Sequence, residues 1–237
     1  CSGGLDSVVL SRLFKELNYN ISLAHCNFSL RGKESDEDEK FVISLAGMLS
    51  IPVFNKKFNT KAYKIKHKLS TQVAARKLRY QWFDEVCAGH SFDYLATAHH
   101  LDDDLETFLI NLSRGTGLKG LTGIPVMNDK IIRPFLNFPR ADILYYAKEK
   151  NSTWREDSSN QTTDYLRNKL RIEVIPRLKE VDLNLLNGFQ QTQKNLNESA
   201  SLVNDYMALI KNLIVNKTDE GFEIDIFKLL ELPNTNA

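Results

Sequence analysis

Between residues 5 and 100, apolar runs of strand length alternate with stretches of helical period, and this alternation constrains the fold more than any other feature of the chain. Leu5, Val8, Val9, Leu13, Phe14 and Leu17 recur at helical spacing after the opening CSGG. ISLAHCNF (21–28), IPVFNKKF (51–58) and DYLATAHH (93–100) read as strands, and SDEDEKFVISLAGMLS (35–50) and TQVAARKLRYQWFDEVCAG (71–89) as helices. Strands joined through helices require right-handed crossovers, so the expected class is α/β: a doubly wound parallel sheet with helices on both faces. The loop that feeds the first helix should itself follow a central strand. We therefore expect such a strand upstream of Cys1, rich in Val, Ile and Leu.

In such sheets ligands bind beyond the carboxyl ends of the strands. The unusual polar residues fall there: Ser2 to Ser7, His25 to Gly32, and His99 to Asp104. Gly3 and Gly4 let the backbone approach a ligand closely, and the helix that follows presents free N–H groups to an anion. The plain alternative is a Ser/Gly turn with Asp6 capping a helix. HHLDDDLET (99–107) sets His99 above Asp103 and Asp102 above Glu106 at i, i+4 spacing, so one helix face can gather oxygen ligands for a hard cation. Acidic first turns also complement a helix dipole, but that explains one or two carboxylates and not the paired histidine. Zinc would need a third convergent ligand. GTGLKG (115–120) matches G-x-G-x-x-G but follows a helix, which makes it a loop, and no Walker A sequence is present.

The net charge of +1 selects no partner. A local basic run (Lys61, Lys64, Lys66, Lys68, Arg76, Lys77, Arg79), interrupted by Tyr63 and Tyr80, reads first as a solvated helix face. Cys1, Cys26 and Cys87 are scattered, which favours a reducing, cytoplasmic setting over a disulfide scaffold. A chain-initial Cys can be a self-activated amidohydrolase nucleophile, but that leaves the Gly pair and the acidic helix unexplained. No stretch reaches membrane-span length. Further helices are expected at 139–151 and, as one long element, at 183–215, while EGFEIDIFKLL begins another unit.

SGGLDS, AHCNFSLRGKESDEDEKFV, AARKLRY, TAHHLDDDLETFLINLSRGTGLKGLTGI and WREDSSNQTTDYLRNKLRIEVIPRL, in that order, resemble the tRNA(Ile)-lysidine synthase family of the PP-loop ATP pyrophosphatase superfamily. SGG-x-DS marks the superfamily, and HN-x-x-LRG, HH-x-DD-x-x-ET and WR-x-DSSN narrow it to this member. The resemblance implies a PP-loop domain over 1–182, with a linker helix and the start of a tRNA-binding region over 183–237. It implies a ligase that adenylates the wobble cytidine of a CAU-anticodon tRNA(Ile) with ATP, then joins L-lysine to C2, releasing pyrophosphate and AMP. Ser2, Gly3, Gly4, Asp6, Ser7 and His25 would bind ATP, and Asp6 with Asp102 or Asp103 would hold Mg²⁺. Catalytic roles would fall on Asp6, Asp102, Asp103 and Arg76. His99, Glu106, Arg79, Arg167 and Arg171 would meet phosphate, cytidine or lysine. Gln72 and Asp104 depart from the pattern, standing where relatives commonly carry Glu and Gln. tRNA thiolases would need paired cysteines, amide-forming synthetases lack WR-x-DSSN, and a passive nucleotide-binding module would not need the acidic cluster. Oligomeric state is left open.

Overall fold

The computed structural model describes residues 1–156, 166–219 and 221–231. Residues 157–160 of the WREDSSN motif lie outside that set. The elements run α1 (Leu5–Glu16), β1 (Leu23–Asn27), α2 (Lys33–Leu49), β2 (Val53–Lys57), α3 (Thr60–His67), α4 (Thr71–Gly89), β3 (Leu95–Ala96) and α5 (Leu101–Ser113). Then come α6 (Leu118–Leu121), β4 (Met127–Asn128), β5 (Ile131–Ile132), α7 (Arg140–Glu149) and α8 (Leu166–Lys169), which passes through a π-helical turn (Leu170–Val174) into α9 (Ile175–Val181). Helix α10 (Leu185–Ile214) leads to the hairpin β6 (Val215–Thr218) and β7 (Gly221–Ile224), and then to α11 (Ile226–Glu231).

β1 and β2 pair in parallel, from Leu23 opposite Val53 to Asn27 opposite Lys57. Successive strand side chains point to opposite faces, so β1 serves two cores. Leu23 joins Val8, Val42, Leu45 and Ala46 under α1 and α2. Ala24 and Cys26 pack with Phe58, Trp82 and Phe83 under α4. Helices therefore cover both faces of this sheet, as the alternation predicts. β3 is also parallel to its neighbour β5, while β4 pairs antiparallel to β5. Among the described residues, β1–β2 and β3–β5–β4 form separate sheets.

Helix α1 is the central post. Its Leu5, Val9 and Leu10 pack on Phe135 and on Ile143 and Ala147 of α7, while Val8 faces α2. Trp154 touches both clusters. A third cluster fastens α5 through Leu101 and Leu105 to Ile175 and to Phe189 of α10. Leu45 is fully buried, and truncating such a side chain to Ala typically costs about 2–5 kcal/mol. These packings fix the start of α1, the end of β1 and the start of α5 relative to one another. No described helix is long and apolar enough to cross a membrane.

Candidate nucleotide-binding site

The opening loop is wound on itself by serine hydroxyls. Ser7 Oγ donates to the Gly4 carbonyl at 3.0 Å and accepts from the Ser2 amide at 3.2 Å, and the Gly4 amide donates to Ser2 Oγ at 3.3 Å. Gly3 has φ +89°, and a Cβ there would stand 3.2 Å from Phe41 Cδ1 on α2. Glycine is thus required both by its conformation and by the closeness of α2. Gly4 caps α1 with no side-chain bond. The first amides of α1 therefore stay directed into the loop, as an anion site needs.

Asp6 stands in the first turn of α1. Its Oδ1 is buried and has no hydrogen-bond partner, and burial pushes its carboxyl above the usual range against the pull of His100 and Arg140. Arg140 Nε lies 3.9 Å from Oδ1.

Helix α5 brings the acidic motif to this point. His100, only 3 % exposed, is its N-cap: Nδ1 accepts the Asp103 amide at 3.3 Å, and Asp103 Oδ2 accepts the His100 amide at 3.1 Å. In the neutral ring this leaves the proton on Nε2. That nitrogen lies 3.4 Å from Asp103 Oδ2 and 3.8 Å from Asp6 Oδ2. One imidazole thus joins the start of α1 to the acidic helix, an imidazole occupying a position more often filled by Ser, Thr or Asp.

The neighbouring carboxylates go different ways. Asp102 Oδ2 accepts the Arg140 amide at 2.8 Å and Oδ1 pairs with Lys179. Burial alone would raise its pKa, but these two partners outweigh burial and hold it below the usual range. Of the two carboxylates expected beside Asp6, Asp103 is the one whose charge acts on it, while Asp102 is held by the α7 backbone and by Lys179 of α9. Asp104 faces the other way, accepting the Ile124 amide at 2.5 Å, and burial pushes it up to about 6. Glu106 is 1 % exposed. Arg171, within the π-helical turn, donates to it through Nε at 2.6 Å and Nη2 at 2.9 Å, and to Asp103 Oδ1 at 2.7 Å. Local π geometry is often found where a side chain must be aimed at a site. Arg167 lies 3.7 Å from Glu106 and donates to Thr107 Oγ1 at 2.6 Å.

The remaining expected residues lie on β1, on α4 and just before α5. His99 is bonded to Thr97 Oγ1 at 3.0 Å, and burial lowers its pKa. Burial lowers His25 to about 4, and its Nδ1 meets the Cys1 carbonyl at 2.9 Å. Arg76 lies over the Tyr80 ring and Arg79 over the Phe28 ring, at 4.8 and 5.3 Å, and both are exposed on α4. The backbone nitrogen of Cys1 donates to the Ala24 carbonyl, and its Sγ is 3.5 Å from Ser7 Oγ. Lys61, Lys64, Lys66 and Lys68 are exposed on and just after α3. Sequence reasoning missed Lys179 and Arg140, the partners that divert Asp102, because nothing in their spacing ties them to residue 102.

Comparison with known proteins gives concordant results. A model of the PP-loop domain matches residues 1–178. The tRNA(Ile)-lysidine synthase of Bacteroides thetaiotaomicron is 39% identical, over 100% of this chain and 54% of that protein. That of Porphyromonas gingivalis W83 is 44% identical over 82% of this chain and 43% of that protein. That of Bacillus subtilis is 37% identical over 98% and 51%. The chain spans about half the length of the curated relatives it matches. Among solved structures, the U34-tRNA thiolase NcsA from Methanococcus maripaludis with its 4Fe–4S cluster superposes with a TM-score of 0.63 at 18% identity, covering 81% of this chain and 70% of that one. This last likeness is one of fold.

Proposed function

Since this chain belongs to the PP-loop domain family, we propose that it is the catalytic portion of a tRNA(Ile)-lysidine synthase, using ATP to adenylate the wobble cytidine of a CAU-anticodon tRNA(Ile) and then joining L-lysine to C2. The observation that carries this reading is the meeting, at His100, of Asp6 from the phosphate loop and Asp103 from the acidic helix. Two half-reactions in one cleft need a phosphate site and an amine site within reach of each other.

The amides around Ser2, Gly3, Gly4 and Ser7 hold the pyrophosphate portion of ATP, and the positive end of α1 stabilises the charge that grows as the cytidine O2 attacks the α-phosphorus. Mg²⁺ commonly takes one or two carboxylates together with phosphate oxygens, and the buried Asp6 Oδ1, which has no hydrogen-bond partner, fits such a role better than Asp102, engaged by Lys179 and the Arg140 amide. When bound, the ion neutralises the leaving pyrophosphate. His25 closes the nucleotide end at the exit of β1. Arg76 and Arg79 meet RNA phosphate or the cytidine from α4. In the second step Asp103 and Glu106 orient the incoming lysine and accept the proton its ammonium must lose before attack, with Arg171 and Arg167 holding those carboxylates in place. AMP then leaves from C2. Residues 1–182 form the catalytic unit and α10 begins the RNA-binding region, in an enzyme working where tRNA is found, the cytoplasm.

The full-length protein, given ATP, Mg²⁺, labelled lysine and CAU-anticodon tRNA(Ile), should release AMP and pyrophosphate in equal amounts and transfer the label to the tRNA. A folded protein that binds the tRNA but transfers no lysine refutes the reading.

A further inference from the structure

The acidic run ESDEDE at the start of α2 has no part in the chemistry above, and its carboxylates do not form a free solvated face. Asp36 takes Asn27 and Lys57, and Glu39 takes Asn27 and Asn55, so both fasten α2 to the ends of β1 and β2. Asp38 is shared by two arginines: Oδ2 accepts Arg31 Nη2 at 2.7 Å, and Oδ1 accepts Arg155 Nε at 2.5 Å. Arg155 Nη2 reaches Glu37 at 3.0 Å. Charge-assisted pairs of this kind are stronger and geometrically more selective than neutral hydrogen bonds.

The backbone of Arg155 does something else. Its N–H donates to the Gly3 carbonyl at 2.9 Å, and its own carbonyl lies 3.9 Å from where a Gly4 Cβ would be. Gly3 is also the residue at φ +89° that packs on Phe41 of α2. The phosphate loop is therefore held between α2 and the segment containing Arg155, and the Asp38 clasp joins those two supports. Trp154, the neighbouring residue, packs into the cores on both sides of α1 and anchors the segment beside the loop.

We propose that Arg155 is a positioning residue for the phosphate loop: gripped by Asp38 and Glu37, it keeps its backbone N–H on the Gly3 carbonyl and so holds the loop amides in the shape that receives ATP phosphates. This rests on the reading that the loop binds ATP, but one consequence does not depend on nucleotide. In the full-length protein without ATP, hydrogen–deuterium exchange of the peptide spanning residues 1–8 should be about tenfold faster in Arg155→Ala and in Asp38→Asn, and intermediate in Arg155→Lys, which keeps the charge but loses the fork. With MgATP, the same variants should raise the KM for ATP by about tenfold while kcat at saturating ATP stays within about twofold. Unchanged loop exchange overturns the proposal, and so does a fall in kcat at unchanged KM, which would make Arg155 a contact to the reacting groups. If wild-type protein bound no MgATP, the functional reading would fall, while the exchange comparison would still decide whether the clasp shapes the loop. Should Arg155→Ala fail to fold, Arg155→Lys and Asp38→Asn carry the same comparisons.

Discussion

Replacing Asp104 by Asn should make the protein more stable at neutral pH and leave its chemistry running. Asp104 is 6 % exposed and borders a cavity of about 220 Å³ whose other walls include Leu101, Ile124, Pro125 and Leu136. Burial there lifts its pKa from the ordinary 3.8 to about 6, against the stabilising amide of Ile124. The folded state thus keeps a proton that the unfolded chain releases earlier. A raised carboxyl pKa contributes stability that is fully present below pH 3.8 and lost as pH rises through about 6. At about 1.4 kcal/mol per pH unit, the loss across that window is about 3 kcal/mol at most. Asn cannot ionise and can still accept the Ile124 amide through its Oδ1. Denaturant unfolding of both proteins should give similar stabilities near pH 4 and an Asn variant more stable by about 1–3 kcal/mol at pH 7.5. Lysine transfer should persist, since Asp104 faces away from His100. A difference that is the same at both pH values, or an Asn variant weaker at pH 7.5, would refute the argument.

Asp6→Ala should leave the melting temperature within a few degrees and reduce AMP release by at least about 100-fold, measured with tRNA and lysine present. Asp102→Asn and Asp103→Asn should separate: the first loses its pairing with Lys179 and should lower stability by about 1–2 kcal/mol with chemistry largely retained, whereas the second should depress lysine transfer more than stability. Equal effects of the two on turnover would remove the distinction drawn from their partners. Gly3→Ala places a Cβ against Phe41 at φ +89° and should cost about 1–2 kcal/mol while abolishing measurable ATP binding, read by calorimetry alongside thermal melting.

Much of the frame was legible from period alone. The expected helices at 71–89, 139–151 and 183–215 correspond to α4 (Thr71–Gly89), α7 (Arg140–Glu149) and α10 (Leu185–Ile214), because each carries an apolar stripe over several turns. Short elements were not legible. The expected strand at 93–100 contracts to Leu95–Ala96: the Thr97 amide still bonds the Ile132 carbonyl at 3.0 Å, but by His100 the chain has turned to cap α5. α3 was hidden in the basic run, where polar residues mask the period, and β4 and β5 are too short to leave one. In the candidate site, residue types picked out a loop and a helix that the structure brings together at His100, but not how adjacent carboxylates divide their partners. Asp102, Asp103 and Asp104 look equivalent in sequence, and they are told apart chiefly by Lys179, Arg171 and Ile124, which lie 20 to 77 positions away.

The hydrogen bond from residue 155 back to residue 3 also bears on the order in which the protein is made. Nearly everything that packs around α1, including α7, precedes Arg155 on the ribosome, so the hydrophobic frame can assemble while the phosphate loop still lacks one of its two supports. The amide of residue 155 is synthesised after the residues of α7 that pack on α1, so this support is the last of them to be supplied. On the function proposed for this loop, nucleotide affinity is then acquired after the fold rather than with it. A stalled or truncated product ending within α7 would be a collapsed α/β body with a slack loop, and the cell would hold few half-made copies competing for ATP.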